Sequence, residues 1–175
     1  LRVMGMSYGS PIAKLWGTQR VSGSVIWAAD LIETENVQEQ GKGGGGTEQV
    51  SYTYSADFAV ALCEGPIIGV KRVWANGLLV YDAKGNPPVD QEVLPNFWKG
   101  LAFGGVSGGG MHVYSGSEDQ QPNSLMESYL GVGEVPAYKG TAYVVFEGMQ
   151  LEKFGNRIPQ LSFEIVTEGA GEATE

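Results

Sequence analysis

The clearest alternation of apolar and polar positions in the chain lies in residues 51–64. One set of alternate positions is apolar and the residues between its first members are polar; the apolar set is Tyr52, Tyr54, Ala56, Phe58, Val60 and Leu62. This period is typical of a strand with one face toward a core. From Ala59 onward the second face becomes apolar too, so we expect the strand to run from a half-solvated region into the interior. Gly65 and Pro66 should end it, because proline donates no backbone hydrogen bond.

A hairpin is predicted directly after this strand. Asn76-Gly77 separates two apolar runs, residues 68–74 and 78–81. Both residues of a two-residue hairpin turn adopt positive φ, and asparagine followed by glycine is the pair best suited to do so. The sequence therefore predicts two antiparallel strands joined at this turn.

The remaining pattern predicts further short strands and one helix. The helix is expected at residues 122–130, where Gln121 or Asn123 can cap it, Pro122 suits its first turn and Gly131 suits its end. A loop is expected at residues 82–89, and residues 92–103 are expected to be irregular or to form a short strand. Further strands are expected at residues 12–16, 21–29, 111–114, 141–146 and 160–166, with weaker alternation at 30–35. The predicted fold class is mainly β, an antiparallel sandwich or open barrel with one short α-helix.

Glycine makes up 27 of the 175 residues, and part of it is clustered. We predict one β domain over residues 1–168, with long glycine-rich loop insertions at 36–48 and 104–110. Val37 is the one apolar residue between 36 and 48, so this loop cannot offset the entropy of ordering its backbone. Residues 169–175 resemble an acidic linker to a further domain.

The net charge of −9 excludes some classes of partner. With 11 lysines and arginines the chain has no basic patch for phosphate groups, so we expect neither direct nucleic-acid binding nor attachment of this domain to anionic membranes. A single cysteine excludes an intramolecular disulfide framework. No apolar run approaches the roughly 20 residues that span a bilayer.

Isolated motifs for ligands or nucleophiles have ordinary structural explanations. Residues 41–46, GKGGGG, match the spacing GxGxxG, but the residues that follow them favour a strand, whereas dinucleotide binding requires a helix there. His112 is the sole histidine and lies in a short strand without a recognisable catalytic partner. Cys63 lies in an apolar strand, where a thiol packs as a small hydrophobe. We therefore predict no catalytic residue, no cofactor and no metal site.

Glycosidases use a pair of carboxylates, so paired carboxylates in the sequence are candidate catalytic residues. The three pairs are Glu33 with Glu35, Asp57 with Glu64, and Glu118 with Asp119. None accompanies a tryptophan-lined cleft pattern, and Asp119 is better explained as a favourable charge at the helix N-terminus. Aspartate and asparagine spacing for calcium is absent. The four tryptophans are expected to anchor the core first and interfaces second; they are Trp16, Trp27, Trp74 and Trp98.

Four blocks of sequence, in order, carry a family resemblance. They are YGSPIAKLWGTQRVSGSVIWAADL, YSADFAVALCEGPI with VKRVWANGLLV, VYSGSEDQQPNSLMESYLG, and PAYKGTAYVVFEGMQLEKFGNRIPQLSFEIV, together spanning about residues 8–166. This set resembles the hub or tail-tip proteins of long-tailed bacteriophages and gene transfer agents, the host-specificity or J-like family.

The resemblance implies a structural role and no enzymatic activity. It implies a hub domain at the virion tail tip, assembled in the host cytoplasm, that joins the tail tube to host-contact parts. It also implies partners: other copies in a trimer, distal tail and tube proteins, and the tape-measure protein as a further candidate. The loop at 36–48 then becomes an assembly element, with contact residues Asn36, Gln40, Lys42, Gly44 and Glu48. The alternative functions are a tail-associated cell-wall hydrolase and a carbohydrate-binding domain.

Overall fold

The computed structural model describes residues 10–40, 47–85, 87, 89–93 and 110–169. In these residues the chain forms strands and one short α-helix. The strands are β1 (Thr18–Ser22), β2 (Ser24–Ala28), β3 (Ile32–Gln40), β4 (Thr47–Glu64), β5 (Gly69–Ala75), β6 (Leu78–Asp82), β7 (Gln91–Val93), β8 (Gly110–Tyr114), β9 (Thr141–Gln150) and β10 (Leu161–Val166), and the helix is α1 (Ser124–Leu130).

The strands form two antiparallel sheets that pack face to face. The first sheet has the order β2-β4-β9-β8-β7, with β3 also paired to β4, and the second has the order β1-β10-β5-β6. The main core lies between them: Phe58 and Val60 of the first sheet share a buried cluster with Phe163 and Ile165 of the second. The predicted fold class, a mainly β antiparallel sandwich with one short helix, is confirmed.

Strand β4 is the long strand that the alternation predicted. Its first residues are exposed, and every residue from Ser55 to Cys63 is buried. Its pairing with β9 shifts register after Ala56 and again after Ala61. Cys63 consequently lies in the same core cluster as its neighbour Leu62. The strand ends at Glu64, directly before the Gly65 and Pro66 that were expected to stop it.

The hairpin of β5 and β6 is confirmed together with its turn. Asn76 has φ 48° and Gly77 has φ 81°, which are the two positive values that the turn requires. The Asn76 side chain has a second function, because its Oδ1 accepts a hydrogen bond from the Gln160 backbone N–H at 2.9 Å. The turn is thereby tied to the residue before β10.

The single strand predicted at residues 21–29 is instead two strands in different sheets. β1 pairs with β10 in the second sheet, and β2 pairs with β4 in the first. Gly23 lies between them at a point where there is no room for a side chain: a Cβ would collide with Val60 Cγ1 and lie 2.9 Å from Phe163 Cε2. The chain can cross between the sheets here because Gly23 has no Cβ.

Helix α1 covers the outer face of the first sheet. Met126 packs there with Ala59, Tyr143 and Val145 in a second buried cluster. Asn123 caps the helix, accepting at Oδ1 from the Met126 N–H at 2.9 Å. The predicted helix is confirmed, and Glu118 and Asp119 form a turn that leads into it, as expected; the acidic residue of the first helical turn itself is Glu127.

Two other predictions are corrected by the strand boundaries, and a third is tested only in part. Residues 12–16 are not a strand, although the Ala13 carbonyl accepts from the Glu64 N–H at 2.8 Å. Residues 36–48 are not one long loop: residues 36–40 belong to β3 and residues 47–48 to β4, paired without interruption. The mostly polar side chains of residues 36–40 and 47–48 indicated a loop. They nevertheless form strands, because cross-strand pairing stabilises them and burial does not. From the 92–103 region, Glu92 and Val93 lie in β7, and residues 94–103 lie outside the described residues.

Candidate functional site

One largely exposed element among the described residues is a two-stranded hairpin, which we call the arm. It consists of β3 and of β4 residues 47–55, joined in nine pairs from Ile32 opposite Ser55 to Gln40 opposite Thr47. At about 3.4 Å per residue the arm is about 27 Å long. In the described structure, residues 47–53 of β4 pair with β3 alone. The Tyr54 carbonyl also accepts from the Leu151 N–H at 2.9 Å, and the pairing with β9 begins at Ser55.

The arm contains the residues predicted for assembly. Asn36 and Gln40 lie in β3, Glu48 lies in β4, and Lys42 and Gly44 lie outside the described residues. The pairing of β3 with β4 thus places Asn36 and Glu48 in one hairpin instead of a loop.

Directly opposed residues of the arm share a face of the hairpin. The two faces carry side chains of different chemistry. One face, the neutral face, carries hydroxyl and amide side chains beside one isoleucine: Ile32, Thr34, Asn36 and Gln38 with Ser55, Thr53, Ser51 and Gln49. The opposite face, the acidic face, alternates carboxylates with apolar and aromatic side chains: Glu33, Glu35, Val37 and Glu39 with Tyr54, Tyr52, Val50 and Glu48.

Hydrogen bonds hold the arm together on both faces. On the neutral face the Asn36 Nδ2 donates to Thr53 Oγ1 at 3.1 Å. On the acidic face the Tyr54 hydroxyl donates to Glu33 Oε2 at 2.6 Å. This bond, followed by burial and the carboxylate's charge, raises the pKa of Tyr54. The side-chain amide of Asn36, which was predicted to make an assembly contact, thus already has a hydrogen-bond partner within the arm.

The acidic face continues the core-facing side of β4. Ala56 is fully buried in the main core, and Tyr54 packs against that core from its edge. Two residues further out, Tyr52 is 51% exposed, and the opposed pair Val37 and Val50 is 53% and 43% exposed. The sequence analysis named Tyr52 as part of the long strand and Val37 as the one apolar residue of a loop, but it did not predict that these two and Val50 share an exposed face; the alternation of Glu35, Val37 and Glu39 was the signal that could have shown it.

Asp57 is a buried carboxylate with a structural explanation. Its Oδ2 accepts from the Tyr129 hydroxyl of α1 and its Oδ1 from the Gly148 N–H of β9, both at 2.7 Å. Glu64, its predicted partner as a catalytic pair, lies seven positions along the same strand, about 20 Å away, and faces Lys14 at 3.9 Å. The strand therefore keeps these two carboxylates far beyond the spacing of about 10 Å or less found in glycosidases.

The other carboxylate pairs are exposed. Glu33 and Glu35 lie two apart on the acidic face, with Glu33 engaged by Tyr54. Glu118 and Asp119 form an exposed turn before α1. Asp119 lines a shallow cleft of about 390 Å³. Its other lining residues are Asp90, His112, Tyr114, Ser117, Gln120, Gln121 and Pro122.

His112 and Cys63 occupy different environments. The His112 ring stacks on Tyr114, with centroids 4.2 Å apart and planes 15° apart, and Tyr114 stacks in turn on the buried Tyr143. Cys63 is fully buried in the main core, and burial, with a smaller contribution from the charge of Glu64, raises the pKa of its thiol to about 11. At neutral pH this thiol is protonated and packs as an apolar group.

The glycine clusters and the tryptophans are only partly described. Residues 41–46 and 104–109 lie outside the described residues, but β4 begins directly after the first cluster, where a dinucleotide site would need a helix. Trp27 contacts Tyr129, and Trp16 is 53% exposed. Trp98 lies outside the described residues.

Four charged side chains form a row across the outer face of the second sheet, and Trp74 packs beside this row. Arg20, Glu164, Arg72 and Asp82 are directly opposed on four adjacent strands and alternate in sign. Arg72 Nη2 lies 2.7 Å from Glu164 Oε2, and the Arg20 guanidinium lies 3.8 Å above the Trp74 ring. The row stabilises its own sheet through cation–π and ion-pair contacts.

The described residues contain neither a cluster of metal ligands nor a membrane-spanning helix. They contain no group of three or more histidine, cysteine, aspartate or glutamate side chains placed to hold a metal ion. Within the same residues, no helix has the length and apolar character needed to cross a membrane.

Comparison with known proteins finds a similarity among solved structures. No protein-family model matches the chain, and no curated protein does so either. Among solved structures, the chain is 36% identical to a chain in the virion of a native gene transfer agent particle, with a TM-score of 0.62. The match covers 99% of this chain and 30% of that chain. This β-sandwich is therefore similar, over nearly its whole length, to about a third of a longer protein chain from a gene transfer agent virion.

Proposed function

We propose that the chain is a structural component of a virion of the bacteriophage or gene transfer agent type, and specifically a hub domain at the tail tip. In that position it joins the tail tube to the parts that contact the host. The observation that carries this proposal is the 36% identity, over 99% of the chain, with a chain of a gene transfer agent virion. The four blocks of hub-like sequence support the finer assignment to the tail tip.

The proposed partners are other virion proteins. By the family resemblance, the chain forms a trimer with its own copies in the assembled tail and contacts distal tail and tube proteins, with the tape-measure protein as a further candidate. The net charge of −9 supports contacts with proteins instead of nucleic acid or anionic lipid. The protein is then assembled in the host cytoplasm and resides in the virion.

We further propose that the domain has no catalytic activity. The arrangement of its carboxylates supports this, since Asp57 binds Tyr129 and Gly148 while Glu64 lies far along the same strand. A zymogram on cell-wall material tests the alternative of a hydrolase. A clearing band that disappears when one of these carboxylates is replaced would overturn the structural assignment.

Immunogold electron microscopy of purified particles tests the position. An epitope tag is placed on the full-length protein, and gold should bind at the end of the tail distal to the head. Gold on the head, or a tagged protein that is missing from purified particles, would refute the proposal. Gold along the whole tube would refute the tail-tip position alone.

A further inference from the structure

We propose that the acidic face of the arm is the docking surface for a different virion protein, one that presents lysine or arginine side chains around an apolar patch. This inference rests on the proposed function, because it places the partner in the same particle. It names the surface of the domain that makes the contact and the chemistry that the contact requires.

The first argument is that this face continues a core face and that no described part of the chain covers its outer half. Along β4, the side of the strand that carries Ala56 in the sandwich interior also carries Tyr54, Tyr52 and Val50. Tyr54 still contacts the core, whereas Tyr52 and Val50 are about half exposed. A two-stranded hairpin alone is marginally stable in water, and it gains stability when its apolar face is packed against something. A partner on this face would take the place that the second sheet occupies further along the strand.

The second argument is the charge of the same face. It carries four glutamates, and the described arm contains no lysine or arginine. Glu39 and Glu48 are directly opposed across the two strands. Like charges in that position destabilise a hairpin. A cationic side chain placed between them would turn this repulsion into two favourable pairs.

The third argument concerns which protein supplies the cations. A second copy of this chain is poorly suited, since the chain carries −9 overall. Of the eight described lysines and arginines, Lys14 pairs with Glu64, and Lys71 and Arg72 pair with Glu164, within their own chain. The other five belong to a chain whose net negative charge would repel a second copy at this acidic face. Charge complementarity therefore favours a different, basic protein as the occupant.

Photo-crosslinking in assembled particles tests the docking surface. Tyr52→p-benzoylphenylalanine places the crosslinker on the acidic face, and Ser51→p-benzoylphenylalanine, one residue away, places it on the neutral face. Both variants are made in the full-length protein and purified with the particles. We expect a crosslink from position 52, and none from position 51, to a different polypeptide whose crosslinked peptide contains lysine or arginine.

The possible results separate this inference from the proposed function. Particles that contain the protein but give equal crosslinking from both positions overturn the docking surface alone. A crosslink from position 52 to another copy of this chain overturns the choice of partner. Particles that lack the protein overturn the proposed function and this inference with it.

Two matched double variants test the role of charge. Glu39→Gln with Glu48→Gln removes two negative charges from the acidic face, and Gln38→Lys with Gln49→Lys makes the same net change of +2 on the neutral face, at the adjacent pair. The glutamine variant also removes the Glu39–Glu48 repulsion, so it does not weaken the arm itself. We expect it to lower the crosslink yield from position 52 by roughly three- to tenfold, as the loss of two surface ion pairs implies. The lysine variant should leave the yield unchanged, and equal effects of the two variants would contradict the proposal.

Discussion

Replacement of Gly23 by alanine should destabilise the sandwich although it adds a single methyl group. Gly23 lies where the chain passes from the second sheet to the first, between β1 and β2. The new Cβ would collide with Val60 Cγ1, lie 2.9 Å from Phe163 Cε2 and lie 3.3 Å from the Ala61 carbonyl oxygen. None of these atoms can move away cheaply, because Val60 and Phe163 are 1% and 0% exposed and the third atom belongs to the backbone of a central strand.

The size of the effect follows from two opposing contributions. Overpacking of a core by one carbon costs about 1–3 kcal/mol. Alanine also restricts the unfolded chain more than glycine does, which returns about 0.4–1 kcal/mol. The net loss for Gly23→Ala should be about 1–2 kcal/mol, or a fall in melting temperature of about 2–8 °C for a domain of this size.

The measurement is urea denaturation of four variants beside the wild type: Gly23→Ala, Gly85→Ala, Val60→Ala and the double variant Gly23→Ala with Val60→Ala. Gly85→Ala is the control, since nothing lies within 4 Å of its added Cβ and its φ does not require glycine; this variant should be neutral or slightly stabilised. Val60→Ala removes the atom that collides, so the double variant should lose less stability than the sum of the two single losses. Strict additivity, or a Gly23→Ala variant as stable as the wild type, would refute the steric explanation.

Two further substitutions and one chemical modification have expected outcomes. Gly77→Val should cost about 1–3 kcal/mol, because a β-branched residue must adopt a φ near 81°; a melting temperature equal to that of the wild type would contradict this. Tyr129→Phe should lower the free energy of unfolding by about 1 kcal/mol through loss of the hydroxyl bond to Asp57, and urea titration should show a much smaller loss in an Asp57→Ala background. Cys63 should resist iodoacetamide at pH 8 in the folded protein and react after unfolding, because burial raises its pKa to about 11. Its folded-state reactivity should rise as pH approaches that value, and equal rates in the folded and unfolded protein would show the thiol to be accessible.

Features with a local cause could be predicted from the sequence. The turn at Asn76-Gly77 depends on two residues that tolerate positive φ, and the helix start depends on an asparagine three residues before the amide that it binds. Both causes lie within a few positions of their effects. The long strand β4 was predictable for a similar reason, because its period of two is visible over more than ten residues.

Features with a distant cause were missed. The break at Gly23 arises from Val60 and Phe163, which lie far away in the chain. The outer part of the arm was missed because residues 36–40 and 47–49 are polar apart from Val37. The pattern appears only when Val37 is set opposite Val50, and a single strand does not reveal that register. The burial of Cys63 was predicted, but its place in the same core cluster as Leu62 was not, because that depends on an irregularity in the pairing of β4 with β9.

The pairing of β1 with β10 constrains the order in which the protein can fold during synthesis. Arg20 and its hydrogen-bond partner Ser162 are 142 residues apart in the chain. At ribosomal rates of about 5–20 residues per second, β1 emerges roughly 7–30 s before the strand that it pairs with. During that time the hairpin of β5 and β6 can form, but their sheet lacks its middle strand, since β10 lies between β5 and β1. The unpaired edge of β5 is thus exposed on the nascent chain until the last strand arrives, and a chaperone or a neighbouring nascent chain would meet the protein at that edge.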